Sequence, residues 1–168
     1  MSGQHHGEHM EIAVDDLSGP DVAAFLQAHL DQMHELSPAE SVHALDLAAL
    51  RAPDITFWSA YEDETLVGCG ALKVLDARHG EIKSMRTDPA RRGQGIAGQL
   101  LRHIVAEARA RGLVRLSLET GSEEFFAPAR RLYARHGFVP CPPFATYTDD
   151  PLSSYFTLDL AREHAPAG

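Results

Sequence analysis

Asp88-Pro89-Ala90-Arg91-Arg92-Gly93-Gln94-Gly95-Ile96-Ala97-Gly98 is the stretch on which the reading of this chain turns. Its three glycines stand between a run with strand character, Glu81 to Thr87, and a run with helical spacing, Ile96 to Ala110. A glycine-rich turn that enters a helix leaves several backbone N–H groups without internal partners. The aligned peptide dipoles add partial positive charge at the same place. A phosphate or pyrophosphate is the expected occupant.

The flanks supply the fold. Ile96, Leu100, Ile104 and Ala108 recur every four residues, flanked by Ala97, Leu101 and Val105, while Gln99, Arg102, His103 and Glu107 fall opposite. This predicts an amphipathic helix, stopped at Gly112. Upstream, Ile55 to Tyr61, Leu66 to Leu75 and Glu81 to Thr87 read as strands of an antiparallel meander, with Glu62-Asp63-Glu64 as a polar turn. Downstream, Leu113 to Thr120 predicts a strand parallel to the one before the helix. Pro128 to Arg135 reads as a short helix, and Phe138-Val139 and Ser154 to Leu160 as strands. Near the N-terminus, Glu11 to Val14 is a strand candidate, with Asp21 to Met33 and Ala44 to Leu50 as helices. The class is α+β, an α/β/α sandwich around a mixed, mainly antiparallel sheet of about seven strands with about four helices. Residues 10–162 form one domain between flexible tails, 1–9 and 163–168.

The net charge of −9 argues against a nucleic-acid or anionic-membrane partner, which would need clustered Lys and Arg. Basic residues do gather near the glycine loop, at Arg86, Arg91, Arg92, Arg102, Arg109 and Arg111, of which the last three read as a solvated helix face. Cys69 and Cys141 are too few for a disulfide framework and have no zinc spacing to histidines, so no metal is expected. His5, His6 and His9 read as a polar tail rather than a metal site. With no apolar run of membrane-spanning length and no signal-peptide pattern, the expected location is cytoplasmic.

Gly93-x-Gly95-x-x-Gly98, with Glu119 downstream, matches the dinucleotide fingerprint of a small NAD(P)-binding oxidoreductase. Three features count against it. The preceding strand holds Lys83, Ser84 and Arg86 rather than an apolar run. A polar turn, Asp88 to Arg92, replaces a tight one. An antiparallel meander precedes the loop, and too little chain follows it for a second mononucleotide half.

The same loop resembles the acyl-CoA loop of the GNAT superfamily of N-acetyltransferases, through Arg92, Gly95 and Ala97. Ala129-x-x-Leu132-Tyr133-x-x-x-Gly137-Phe138 resembles that family's second signature, independently and in the right order. His34 to Leu45, Gly80 to Thr87, Leu118 to Gly121, Cys141 to Phe144 and Tyr147 are similar to its YsnE-like branch. Phe126 departs from the family pattern, standing where many members carry an Asn near the pantetheine, and the connection from Thr120 to Pro128 is longer than usual.

The resemblance implies acetyl transfer from acetyl-CoA to a primary amine of a small molecule or peptide, by direct attack in a ternary complex. Arg92, Gly93, Gln94, Gly95, Ile96, Ala97 and Gly98 would hold the pyrophosphate, while Met85 and Thr87 would offer main-chain bonds to the pantetheine. Tyr133 is the candidate general acid, since a phenol with a reference pKa of about 10 arrives protonated where a thiol, at about 8.5, departs ionised. Glu81 or Glu119 is the candidate base, on the two strands that should splay around the thioester. His34 and His43 also qualify, as does bulk water. His34, Ser41, His43 and Tyr147 are expected to receive the acceptor. A non-catalytic acyl-CoA-binding sensor uses the same loop without needing Tyr133, and the C-terminal strands leave room for a homodimer.

Overall fold

The strands join one seven-stranded sheet in the order β1-β2-β3-β4-β5-β7-β6. They are β1 Met10–Val14, β2 Ile55–Glu62, β3 Thr65–Val74, β4 His79–Thr87, β5 Arg115–Gly121, β6 Val139–Pro140 and β7 Ser153–Asp159. The helices are α1 Pro20–Leu36, α2 Leu47–Leu50, α3 Ile96–Ala110 and α4 Ala127–Arg135. This computed structural model describes residues 10–36 and 47–161. The tails with His5, His6 and His9, and the segment holding Ser41 and His43, lie outside the described residues.

Among the described strands only β4 and β5 run parallel, and every other pair is antiparallel. The expected α+β class is thus present, with α2 as a single turn beside three longer helices. The same topology overturns the oxidoreductase reading, because a dinucleotide crevice needs a mostly parallel, doubly wound sheet.

Period-two alternation divides the sheet residues between two layers. Leu72, Ile82, Leu116 and Leu118 pack against Leu101, Ile104 and Ala108 of α3. On the opposite face Phe57, Cys69 and Ala71 pack against Val22 and Leu26 of α1 and Leu50 of α2. Leu101 and Ile104 are fully buried, each worth roughly 1.5 to 3 kcal/mol over an exposed position.

Two boundaries differ from the sequence reading for physical reasons. Glu62 belongs to β2 and is buried, because Arg91 pairs with it from the glycine loop. β5 starts at Arg115 rather than Leu113, because the Leu113 N–H still closes α3 on the Ala108 carbonyl.

Two irregularities shape the site. Between Ala71↔Lys83 and Cys69↔Arg86, β4 spends one residue more than β3, with Ser84 at φ 59°. An extra residue reverses the alternation, so Lys83 and Arg86, three apart, face the same side as Cys69 and Ala71. The second irregularity is that β4–β5 pairing stops at Ile82↔Leu118, although the strands continue to Thr87 and Gly121. Past that point they part into a wedge.

Candidate active site

A cavity of about 1190 Å³ runs through the wedge. The glycine loop and α4 border one part of it, and Glu81, Glu119 and Tyr147 another. Of the expected site residues, Met85, Thr87, Arg92, Gly93, Gly95, Ile96, Ala97, Gly98, Tyr133, Glu81, Glu119 and Tyr147 all line it, and Gln94 sits exposed in the loop.

The loop is built from local rules. Asp88 Oδ1 accepts from the Ala90 N–H at 3.0 Å, which starts a single 3-10 turn, Pro89–Arg91. Gly93 and Gly95 then adopt φ 82°, a left-handed conformation costly for other residues, and a Cβ at either would meet nothing within 4 Å. The glycines are therefore required by backbone conformation, not by crowding. Gly95 is the N-cap of α3 and no side chain caps it, so the first N–H groups of the helix are left for a ligand. The Arg91–Glu62 ion pair ties the loop to β2. Arg92 lies over the Phe125 ring, 5.6 Å from its centroid. These features fit a pyrophosphate held by backbone donors.

The Met85 side chain turns toward α3, since a Cβ at Gly70 would meet its Sδ at 2.6 Å. The edge of β4 that faces β5 has no strand partner beyond Ile82, so the main chain of Met85 and Thr87 borders the wedge. Phe126, the departure from the family pattern, packs its ring where a Cβ on Gly121 would lie, and so closes the end of β5 with an apolar wall.

Tyr133 reaches the wedge from α4, 6% exposed, its ring against Phe138 and Phe156 at 5.7 and 6.5 Å. Its hydroxyl has no hydrogen-bond partner among the described residues. Burial pushes its pKa up to about 12, against the pull of the Arg86 guanidinium. The Cys69 thiol, under the same desolvation, is also raised to about 12.

Glu81, 3% exposed, accepts from the Tyr147 hydroxyl at 2.7 Å and from Lys83 Nζ at 3.3 Å. Burial first, and then the Glu81 charge, push Tyr147 upward in pKa, so its phenol stays protonated. Glu119 is half-buried just past the last β4–β5 pair, and its Oε2 accepts from Ser153 Oγ at 2.6 Å. Its charge raises the pKa of both Tyr133 and Tyr147. His34 falls in α1, but its side chain, like Ser41 and His43, lies outside the described residues.

Sequence reasoning missed three participants. Lys83 shares a strand face with Glu81, two positions away, and that spacing was available as a signal. Phe125 carried no signal. Arg102, exposed on α3 as expected, also borders the cavity. Among the described residues no group of His, Cys, Asp and Glu is placed to hold a metal, and no helix is long and apolar enough to cross a membrane.

The structure resembles that of a Klebsiella pneumoniae protein assigned to the acyl-CoA N-acyltransferases, with a TM-score of 0.72 and 30% identity over 90% of this chain and 97% of that one. A GNAT family acetyltransferase of Elizabethkingia anophelis with acetyl-CoA bound shares the fold, with a TM-score of 0.67 and 19% identity over 90% of this chain and 99% of its own. In sequence the chain is 55% identical to the uncharacterised N-acetyltransferase YsnE of Bacillus subtilis, over 90% of this chain and all of YsnE. It is 49% identical to the uncharacterised N-acetyltransferase YedL of Escherichia coli, over 91% of this chain and 96% of YedL. The model of the acetyltransferase (GNAT) family matches residues 22–138. The chain therefore belongs to the GNAT family of acetyltransferases, in the branch of YsnE and YedL, and its cosubstrate is acetyl-CoA.

Proposed function

We propose that this acetyltransferase transfers the acetyl group to a primary amine of a small molecule, by direct attack within a ternary complex. The observation that carries the reading is the single cavity that joins the glycine loop, Tyr133 and the two glutamates across the wedge. An amine entering from the Glu81 side meets the thioester between β4 and β5. A main-chain N–H of Met85 or Thr87 polarises the acetyl carbonyl. The new N–C bond forms as the C–S bond breaks.

Glu119 takes the proton of the attacking nitrogen, directly or through a water. It stands past the strand split, and its charge is felt by Tyr133 on one side and Tyr147 on the other. Glu81, held by Tyr147 and Lys83, shapes and charges the acceptor side. Tyr133 gives its proton to the leaving sulfur. A phenol at about 12 is a poor acid toward a thiol in water, but the wedge that raises Tyr133 desolvates the departing thiolate too.

Cys69 and Cys141 are free thiols, which fits a reducing, cytoplasmic setting. A second copy would pair at the short edge strand β6, where Val139 is 54% exposed.

The test is thiol release from acetyl-CoA across a panel of small amines. Turnover with at least one small primary amine is expected. Tight acetyl-CoA binding without release by any amine would favour the sensor reading and sink this one.

A further inference from the structure

Three arginines and a histidine, Arg92, Arg102, Arg135 and His136, line the cavity. In a chain of net charge −9 this concentration stands out. Arg91 and Arg111 have carboxylate partners, at Glu62 and Glu107. Arg92, Arg102 and Arg135 have none within ion-pair distance among the described residues.

The geometry is local and built. Arg102 lies four residues beyond Gly98, about 6 Å along α3. Helical side chains lean toward the N-terminus of their helix, and Arg102 does so. Its Nη1 comes within 3.4 Å of the position a Cβ on Gly98 would take. His136 Cε1 and Nε2 lie 3.8 and 3.9 Å from the same point. Gly98 is thus the floor of a small recess between α3 and the end of α4.

His136 is held in orientation. Its Nδ1 is 2.9 Å from the Leu132 carbonyl, which can only accept, so Nδ1 carries a proton. Nε2 is then the acceptor that faces Arg102 Nη1 at 3.5 Å, and it holds that guanidinium over the recess. The recess presents N–H donors and positive charge beside the start of α3, where the pyrophosphate binds in the reading above.

We propose that Arg102, Arg135 and His136, over the floor at Gly98, form a subsite for the phosphate monoester on the ribose of CoA, so that the protein distinguishes acetyl-CoA from acetyl-dephospho-CoA. The inference rests on acetyl-CoA as cosubstrate and adds a second anchoring point to the pyrophosphate loop. A phosphate monoester carries nearly two negative charges and three acceptor oxygens, which suits a fork of guanidinium donors.

The experiment is calorimetric binding of acetyl-CoA and acetyl-dephospho-CoA to the intact protein and to Arg102→Ala and Arg135→Ala. Both arginines are exposed, so neither substitution opens the core. The wild type should bind the dephospho form about tenfold more weakly or worse. Arg102→Ala should weaken acetyl-CoA alone, bringing the two forms within about twofold. Equal binding of both forms by the wild type would overturn the proposal. So would an Arg102→Ala variant that weakens both forms equally, which would assign the residue to the general field around the pyrophosphate. Inorganic phosphate that still bound beside saturating acetyl-CoA would likewise overturn it, by placing a free anion where the ribose phosphate should sit. If neither thioester bound, the cosubstrate reading itself would fall, an outcome distinct from binding without discrimination.

Discussion

The Tyr147 hydroxyl donates to Glu81 Oε2 at 2.7 Å, a contact between residues 66 positions apart that fastens the loop before β7 onto the buried first half of β4. Phe144 and Tyr155 pack on the Tyr147 ring at 5.2 and 5.6 Å. The loop thereby roofs the acceptor side of the cavity, and Glu81 is held in one place. Tyr147→Phe should cost about 1 to 3 kcal/mol of stability, the usual loss for a bond to a charged group. It should raise the KM for the amine several-fold and leave acetyl-CoA affinity unchanged. Steady-state kinetics with calorimetry separates the two, and a change confined to acetyl-CoA affinity would contradict the acceptor-side role.

Tyr133→Phe should lower kcat about 100-fold or more while acetyl-CoA still binds. The pKa direction makes a second prediction. Since burial raises Tyr133 to about 12, the phenol stays protonated throughout the usual assay range. The wild-type rate should therefore show no descending limb below about pH 10 that Tyr133→Phe removes. A limb near pH 8 to 9 lost in that variant would mean the hydroxyl titrates far lower than its burial implies.

The two glutamates can be separated by charge-neutral substitution. Glu119→Gln should depress kcat about 100-fold while leaving acetyl-CoA affinity unchanged. Glu81→Gln should mainly raise the amine KM, because it removes a charge from the acceptor side but leaves a partner for the Tyr147 hydroxyl. The reverse pattern would transfer the base role to Glu81.

Alkaline stability carries its own sign. Tyr133 and Tyr61 are both raised to about 12 in the folded chain, Tyr133 by burial and Tyr61 first by its hydrogen bond to Asp21. Raised folded values favour the neutral phenol, so this contribution is complete below about pH 10 and is lost as pH climbs toward 12. Urea midpoints should fall between pH 10 and 12, and less steeply in Tyr133→Phe, because only the partly buried Tyr61 then carries the effect. Parallel curves for the variant and the wild type would show that Tyr133 titrates normally.

The strands, the long amphipathic helix and the glycine loop were legible because each depends on near neighbours. A period of two or of 3.6, a helix stop at Gly112 and left-handed glycines at Gly93 and Gly95 are properties of a few consecutive residues. Glu81, Glu119 and Tyr133 could be named from the strands and motif that carry them, and Tyr147 from its late loop.

Other features needed the folded chain. The bulge at Ser84 decides that Lys83 and Arg86 share a face, and it exists only against the register of β3. Glu62 reads as a turn residue until Arg91 arrives from 29 positions away to pair with it. Arg102 has the helical phase of a wet face, and only the end of α4, placed beside α3, turns that face into part of a cavity. Local periodicity thus determined the elements and the phosphate loop of this protein. The tertiary structure decided which charges meet, because register, burial and long-range pairing are settled only when distant segments pack.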